Sequence, residues 1–230
     1  MRKGCAGVST VSEGPDPARI LELARRTIRR DAAAISGLEP QLDESFARTA
    51  QLLLDCTGKV LVTGLGTSGA TARRVAHLLS VGGTPSLFIH AADALHGTLG
   101  AVTAGDCVIA ISKGGESDEL NDFVRRAHER GARIVSMTAA PESTLGRLSD
   151  QCLVVTTPDE SDPGNMIAMG SALAACAMGD ALAVSLMDAR GYSWTDFMHS
   201  HPGGAVGHMI ERGEVPADTD PEAPPFTPAM

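Results

Sequence analysis

Five short apolar runs, separated by segments with helical periodicity, constrain the fold of this sequence more than any other feature. Strands that are apolar throughout are buried on both faces, as in a parallel sheet, and the helical segments between them supply right-handed crossovers. The pattern therefore predicts an α/β fold, a doubly wound five-stranded parallel sheet flanked by helices. The predicted strands are 60–63, 86–90, 107–111, 132–138 and 152–156.

The segments outside the strands set the predicted domain boundaries. Asp16 and Pro17 form a helix start, with Asp16 as the cap and proline at the first helical position. Residues 1–15 are polar and residues 213–230 are rich in Pro, Asp and Glu, so we expect a disordered N-terminus and a flexible acidic tail. Residues 16–212 then form one domain, which suits a chain of 230 residues. Further helices are predicted near 42–56, 70–81, 118–130 and 165–190.

Charge and composition exclude several classes of partner. The formal net charge is −9, with one Trp, one Tyr and five Phe, so neither nucleic acid nor a membrane is an expected partner. No apolar run reaches the roughly 18 residues that span a bilayer. The nearest, 166–187, is interrupted by Asp180 and is predicted to be a buried helix.

The N-terminus and the cysteines indicate the compartment. The first 17 residues lack the apolar core of a secretory signal. Five cysteines are scattered along the chain without a CxxC pair, which fits a reducing environment. We therefore expect a cytoplasmic protein whose cysteines are buried spectators.

The first glycine-rich turn, GLGTSG at residues 64–69, follows a predicted strand and opens a helix. Backbone N–H groups at such a turn, together with the helix dipole, favour a bound anion. The spacing is close to the GxGxxG of dinucleotide-binding folds. That alternative needs an acid at the end of the next strand, where this sequence has FIH at 88–90 and reaches its first acid only at Asp93. The candidate binding residues are Gly66, Thr67 and Ser68.

A second turn, SKGGES at residues 112–117, also lies between a strand and a helix. Ser112 and Ser117 offer hydroxyl donors, Lys113 offers a cation, and Gly115 belongs to a Gly-Gly pair. A single turn of this kind, capped by Ser117, could be purely structural. Two such turns in one sheet suggest one ligand contacted from two strand ends.

Two histidines and a glutamate lie in loops that suit proton transfer. His96 and His201 stand in loops that contain glycine, and imidazole titrates near neutral pH. Glu160 precedes the long predicted helix and could equally be a solvated carboxylate. His199 and His201 could share a metal ion with His96, but HxH in a loop is a weak ligand signal, and we predict no metal site.

Three further motifs follow the two turns in order: LHG at 95–97, MGDALA at 178–183 and SHPGG at 200–204. On these motifs the sequence from about Val60 to Gly207, two thirds of the chain, resembles the sugar isomerase (SIS) domain, and within it the arabinose-5-phosphate isomerase branch. The resemblance implies a five-stranded parallel sheet, no cofactor, and an active site at a subunit contact in a homo-oligomer, a dimer or a tetramer. Isomerases of that branch often carry a C-terminal pair of CBS modules, for which the 230 residues here leave no room.

The resemblance also implies a reaction, aldose–ketose interconversion of a sugar phosphate similar to arabinose 5-phosphate and ribulose 5-phosphate, through an enediol. A carboxylate carries the proton between adjacent carbons, and we assign this to Glu160 with Glu116 as substitute. We assign ring opening to His201 and hydroxyl polarisation to His96. The resemblance places the phosphate against Ser68, Ser112, Ser117 and the helix start at Gly170-Ser171.

The sequence departs from the family pattern at three places. Thr67 stands where the family usually has lysine, Lys113 and Gly114 stand in a turn that is usually SNSGES, and Met169-Gly170 precede Ser171 where the family has Thr-Ser. We predict that Lys113 replaces the missing lysine. The loss of the usual lysine favours an alternative function, a sugar-phosphate sensor that does not turn its ligand over, whereas both histidines and both glutamates favour catalysis.

Overall fold

A computed structural model describes residues 16–214. Residues 1–15 and 215–230 lie outside the described range, so the expected disorder of the two ends stays a prediction. The strands are β1 (Val60–Gly64), β2 (Ser86–Phe88), β3 (Cys107–Ile111), β4 (Arg133–Thr138) and β5 (Gln151–Val154). The α-helices of the described range are α1 (Pro17–Ser36), α2 (Glu44–Leu54), α3 (Gly66–Val81), α4 (Ala91–Leu95), α5 (Asp118–Glu129), α6 (Thr144–Arg147), α7 (Gly170–Arg190), α8 (Trp194–Ser200) and α9 (Gly204–Glu211).

The five strands form one parallel sheet in the order β2-β1-β3-β4-β5. Val60 pairs with Ser86 on one side and with Cys107 on the other, and Gly64 lies opposite Ile111. The chain therefore leaves β1 in one direction to form β2 and crosses back to form β3. Ligands of open α/β sheets bind at such a switch point, outside the carboxyl ends of the strands. The predicted five-stranded parallel sheet is confirmed.

Apolar side chains cover the sheet on both faces. Val60, Val62 and Ile109 belong to a core shared with α2, α3 and α7, whereas Leu61 and Val108 belong to a second core shared with α4 and α5. Burying one such side chain stabilises the fold by roughly 1.5–3 kcal/mol. The doubly wound arrangement thus follows from strands whose apolar side chains face both sides of the sheet.

Side-chain caps set the starts of the two N-terminal helices. Asp16 accepts a hydrogen bond from the Ala18 N–H at 3.0 Å, and Pro17 is the first residue of α1, as predicted. Asp43 caps α2 in the same way through the Ser45 N–H at 2.8 Å. This cap places the start of α2 at Glu44, two residues after the predicted start.

The long helix begins later than predicted. A helix from about Asn165 was expected, but α7 starts at Gly170, and 3₁₀ turns at Asp159–Ser161 and Pro163–Asn165 precede it. Gly164 and Asn165 adopt left-handed φ values of 62° and 54°, which an α-helix cannot accommodate. The apolar pattern did not reveal this interruption, because it continues across the break.

By length and composition, α7 is the one helix in residues 16–214 that could cross a bilayer. It packs against α1, α2 and α3, and 56% of its most apolar window is buried inside the protein. Both observations fit the core helix of an α/β domain, as the sequence predicted.

One surface of α1 is apolar and exposed. Ala34 is the helix's buried residue, and it lies where α1 packs on α7. Apolar side chains normally give a helix a face to bury against another element. We call this surface the α1 apolar face; its side chains are 42–68% exposed and are Ile20, Leu21, Leu23, Ile28 and Ile35.

Candidate active site

The two glycine-rich turns lie side by side at one edge of the sheet. The first follows β1 and the second follows β3, and these strands are neighbours whose last residues, Gly64 and Ile111, are paired. The turns therefore meet at the switch point of the sheet, where a ligand can contact both.

Two glycines of the first turn are required by packing and one faces open space. A Cβ on Gly64 would lie 2.7 Å from the Ser68 carbonyl oxygen, and one on Gly69 would lie 2.8 Å from the Gly64 carbonyl oxygen. Gly66 has a φ of +54°, and a Cβ there would meet nothing within 4 Å. The first N–H groups of α3 have no intrahelical acceptors, and Leu65 gives the helix no side-chain cap. These N–H groups are therefore suited to an anionic ligand.

The second turn is held rigid by its own hydrogen bonds. Ser112 Oγ accepts the Gly115 N–H at 3.1 Å, and Asn121 donates to the Gly115 carbonyl at 3.1 Å. The Lys113 carbonyl accepts from Thr138 Oγ1 at 3.0 Å. Gly115 has a φ of +68° and lies directly against Ser143, which leaves no space for a side chain.

Asp162, which the sequence analysis did not single out, organises the start of α7. Its carboxylate accepts hydrogen bonds from the Met169 N–H at 2.8 Å, the Ser171 N–H at 3.1 Å and Ser171 Oγ at 2.6 Å. It also accepts from Lys113 Nζ at 2.8 Å, while Asn165 Oδ1 accepts from the same ammonium at 2.7 Å. The sequence feature that could have indicated this role is the position of Asp162, an acidic residue shortly before a helix start.

The electrostatics of Asp162 favour its charged form. The side chain is 2% exposed, and this burial raises its pKa. Hydrogen bonds from Lys113, Ser171 and the Met169 N–H outweigh the burial and hold the pKa of Asp162 well below its usual range. Asp162 is therefore a permanent internal anion at the N-terminus of α7, in the position where a phosphate was expected.

A narrow cavity opens between the two turns and α7. Ser68, Lys113 and Ser171 line it together with Thr71 and Thr138. Its volume is about 30 Å³, which is room for about one water molecule. A ligand larger than a water molecule would therefore lie across the mouth of this cavity rather than inside it.

The remaining predicted binding residues stand around that mouth. Gly66 and Thr67 are exposed at the start of α3, and Ser112 is buried in the turn after β3. Ser117 is half-buried at the N-cap of α5, and its side chain makes no capping hydrogen bond. The structure thus gathers the hydroxyl groups at one edge of the sheet. Ser171 donates its hydroxyl to Asp162, whereas Ser112 Oγ accepts the Gly115 N–H and keeps its own O–H as a donor.

Two of the predicted acid/base residues lie in exposed loops near the carboxyl ends of the strands. His96 is the exposed C-cap of α4. Glu116 is exposed and accepts the Thr144 N–H at 2.9 Å. Its hydrogen bonds with Thr144 lower the pKa of Glu116, so this carboxylate is ionised and fixed against α6.

Glu160 lies in the 3₁₀ turn before α7. It is exposed and lines a surface cavity of about 150 Å³ together with Arg26, Arg29 and Arg30 of α1. No sequence signal connected these arginines with Glu160, because more than 120 residues separate them.

His201 follows α8. Its ring stacks on Phe197 with the centroids 4.1 Å apart, and Nδ1 lies 3.0 Å from the Phe197 carbonyl oxygen. A carbonyl only accepts, so this contact places the ring proton on Nδ1 and leaves Nε2 as a proton acceptor.

The four acid/base candidates are not gathered around the cavity in this chain. Within residues 16–214, its lining includes neither His96 nor His201, and neither Glu116 nor Glu160. The same range holds no group of three His, Cys, Asp or Glu side chains arranged to bind a metal ion. The alternative of a metal shared by His96, His199 and His201 therefore has no support from their positions in one chain.

Comparison with known proteins identifies the family. The sequence profile of the SIS domain matches residues 53–185. The chain belongs to the SIS domain family. The SIS domain is thus the α/β unit described above, and both glycine-rich turns lie inside the matched range.

Relatives and solved structures of the SIS domain show the same relationship. Arabinose 5-phosphate isomerase GutQ of Escherichia coli K12 is 36% identical over 191 residues, which are 83% of this chain and 60% of the relative. A Listeria monocytogenes protein provisionally described as a sugar-phosphate isomerase superposes with a TM-score of 0.79 at 35% identity, over 83% of this chain and 100% of that one. An E. coli CFT073 protein solved in complex with arabinose 5-phosphate superposes with a TM-score of 0.78 at 29% identity, over 81% and 100%. The chain spans about three fifths of the length of the curated relatives that it matches.

Proposed function

We propose that this chain is a phosphosugar isomerase that interconverts an aldose and a ketose, with arabinose 5-phosphate and ribulose 5-phosphate as the nearest substrate pair. The observation that carries the proposal is the pair of rigid Gly/Ser turns at the switch point of the sheet, which present N–H groups, hydroxyls and one lysine to a single ligand. The names of the relatives and the arabinose 5-phosphate complex of a structural neighbour support the same ligand class.

The phosphate is proposed to bind at the start of α3. The N–H groups of Gly66, Thr67 and Ser68 and the Ser68 hydroxyl would hold it there. Ser112, Gly115 and Ser117 complete the proposed site from the second turn. Ser171 donates its hydroxyl and N–H to Asp162, so we propose that it acts through Asp162 and that the phosphate lies on the α3 side.

Lys113 is proposed to supply the cation that Thr67 does not. Its ammonium borders the same cavity as Ser68 and its side chain is 40% exposed. In the structure it is bound to Asp162 and Asn165. A phosphate dianion at the cavity mouth would share the ammonium with these two groups, since an ammonium has three donors.

The chemistry proposed for the reaction is a proton transfer through an enediol. Glu160 takes the proton from one carbon and returns it to the next, with Glu116 as the substitute. His201 opens the sugar ring through Nε2, and His96 polarises a hydroxyl. Phosphate binding away from the reacting carbons supplies orientation. No cofactor is needed, because the reaction moves one proton between adjacent carbons and one between their oxygens, and the substrate as a whole gains or loses no electrons.

The acid/base residues are proposed to meet in a homo-oligomer, a dimer or a tetramer. The α1 apolar face offers a surface for a second copy, and Glu160 lies next to α1. Burial of that face would bring the Glu160 loop to a subunit contact. We propose that the protein is cytoplasmic, because the cytoplasm is a reducing compartment that keeps thiols free and because sugar phosphates are found there.

The decisive experiment incubates the purified chain with pentose, tetrose and hexose phosphates in heavy water and follows proton NMR. Deuterium next to the carbonyl, together with interconversion of one aldose–ketose pair, supports the isomerase. Absence of exchange with every sugar phosphate contradicts it. A sugar phosphate that raises the Tm without any exchange establishes the second candidate, a sensor, which the engagement of Lys113 by Asp162 favours.

Size-exclusion chromatography with light scattering tests the oligomer. We expect a dimer or tetramer, and Ile28→Glu on the α1 apolar face should shift it toward monomer with loss of activity. Leu87→Glu is the matched control, because Leu87 is similarly exposed, at 60% against 68%, but lies on the edge strand β2. A wild-type chain that is monomeric and fully active overturns the proposal that two subunits form the active site together.

A further inference from the structure

A second cavity, of about 370 Å³, lies at the edge of the sheet opposite the candidate active site. It is formed where the strands begin, by the end of α2 and the turns that lead into β1 and β3. Its lining includes two cysteines and four charged residues: Cys56, Cys107, Arg48, Asp55, Asp106 and Arg133.

The fold brings these two cysteines to one cavity and one core cluster, although 50 residues separate them in sequence. Cys56 follows α2 and is half-buried, and its Sγ lies 3.3 Å from the Gly105 carbonyl oxygen. Cys107 is the first residue of β3 and is 2% exposed. Its Sγ lies 3.8 Å from the Leu52 carbonyl oxygen, and both cysteines line the same cavity and belong to the same packed cluster. The expectation that the cysteines are buried therefore holds for Cys107, whereas Cys56 is partly exposed.

The backbone on both sides of the pair is fixed. The Gly58 N–H donates to the Gly105 carbonyl at 2.8 Å, and the Cys107 N–H donates to the Lys59 carbonyl at 3.1 Å. Two thiols that line one cavity on such a frame are positioned to join when their side chains turn toward each other.

We propose that Cys56 and Cys107 form a peroxide-sensitive thiol pair, in which Cys56 is the attacking sulfur and Cys107 resolves the product to a reversible disulfide. This site is separate from the proposed isomerase site, and its chemistry does not depend on that function.

The two sulfurs differ in a way that suits these roles. Hydrogen bonds from the Cys107 thiol and from the N–H groups of Gly58 and Cys107 lower the pKa of Cys56 to about 6, against the opposing effects of burial and of Asp106. The hydrogen bond to Cys56, together with burial, raises the pKa of Cys107. The lowered pKa favours the thiolate of Cys56, the form that reacts with peroxides, while the raised pKa keeps Cys107 protonated.

Charged groups of both signs face the pair. Arg48 and Asp55 come from α2 and the residue that follows it, Asp106 from the turn before β3, and Arg133 from β4. Asp106 is bound to Lys59 at 2.8 Å, and Arg133 is bound to Asp150 at 2.9 Å. Asp106, whose charge opposes the Cys56 thiolate, is therefore neutralised by Lys59, which reduces this effect.

The reaction balances with hydrogen peroxide as the oxidant. The Cys56 thiolate attacks one peroxide oxygen, the O–O bond breaks, and hydroxide leaves and takes up a proton to become water. The sulfenic acid on Cys56 is then attacked by Cys107 sulfur, the S–O bond breaks, and the Cys107 proton leaves with the oxygen as a second water. Each sulfur loses one electron, and the peroxide gains two.

The test uses the full chain with Cys5, Cys152 and Cys176 changed to Ser, so that only the pair remains. Hydrogen peroxide at a small molar excess should remove two hydrogens from the intact mass, and dithiothreitol should restore them. Peptide mapping without reductant should find Cys56 linked to Cys107. Sulfinic acid on Cys56 without any linkage overturns the pair, as does a protein that peroxide leaves unchanged.

Two single variants separate the roles of the sulfurs. Cys107→Ala should accumulate sulfenic acid on Cys56, which dimedone traps, and Cys56→Ser should leave Cys107 unreacted. A further measurement uses the wild-type chain, so it does not depend on a variant that folds: the rate of alkylation of Cys56 by iodoacetamide should rise through pH 6. A Cys56 alkylation rate that rises only above about pH 8 overturns the proposal.

Discussion

Lys113 Nζ lies 2.8 Å from Oδ2 of Asp162, and this ion pair joins the turn after β3 to the N-terminus of α7. The carboxylate is 2% exposed, whereas the lysine side chain is 40% exposed and borders the candidate phosphate site. The buried partner is therefore fixed, and the ammonium can turn toward a ligand without leaving it. In the proposed site, Lys113 would in this way keep a cation at the same sheet edge as Thr67, which carries no charge.

Replacing Lys113 by Met should weaken sugar phosphate binding by about tenfold or more, because a charge-assisted contact to the phosphate is lost. The measurement is the KM, or the Kd by calorimetry if the chain does not turn its ligand over. Lys59→Met is the matched control, since Lys59 forms a similar ion pair with Asp106 at the opposite sheet edge. Unchanged KM and kcat in the Lys113 variant would sink the proposed role.

Asp162→Asn should destabilise the protein by about 2 kcal/mol at neutral pH, because the amide keeps some hydrogen bonds but leaves Lys113 without its counterion. Hydrogen bonds depress the pKa of Asp162 in the folded state. Its contribution is therefore complete above the unfolded carboxyl pKa of about 4 and is lost as the pH falls below it. Urea unfolding of both proteins from pH 3 to pH 8 measures this. A stability difference that grows below pH 4 contradicts the assignment.

The apolar runs predicted the sheet, because a strand that is buried on both faces carries apolar side chains on both sides. Such a strand is recognisable in the sequence as a continuous apolar run. The two turns were also recognised, since consecutive glycine and serine residues after a strand are typical of an anion-binding turn. Asp162 was missed because its importance depends on contacts with Lys113 and Ser171, which a single sequence does not connect.

Two other long-range groupings were missed for the same physical reason. Cys56 and Cys107 are 51 positions apart, and only the pairing of β1 with β3 brings the segments that carry them together. The grouping of the α1 arginines around Glu160 likewise depends on how α1 packs. Motifs made of consecutive residues could thus be predicted from the sequence, whereas contacts between side chains far apart in the sequence could be identified only from the structure.

Gly66→Ala should raise the KM for the sugar phosphate several-fold with a stability loss of about 1–2 kcal/mol. The stability cost comes from a φ of +54°, and the effect on binding comes from a methyl group in the open space that the phosphate is proposed to fill. Gly191→Ala is the matched control, because Gly191 has a φ of +61° and also faces open space, at the end of α7. Chemical denaturation and steady-state kinetics on both variants measure the two effects. Equal KM values in the two variants would contradict the proposal that the phosphate binds at the start of α3.

Glu160→Gln should lower kcat by about 10²–10⁴-fold with little change in KM, because it removes the proton carrier and keeps the shape of the side chain. Glu116 is held by the Thr144 N–H, so Glu116→Gln should cost less activity. Asp159→Asn is the matched control, since Asp159 is an equally exposed neighbour in the same turn. Deuterium exchange into the substrate, followed by NMR, isolates the proton transfer from ring opening. If the Glu116→Gln protein loses exchange while the Glu160→Gln protein keeps it, the two carboxylates have the reverse roles. The proton carrier then belongs to the turn after β3, and a site within one chain replaces the proposed site between subunits.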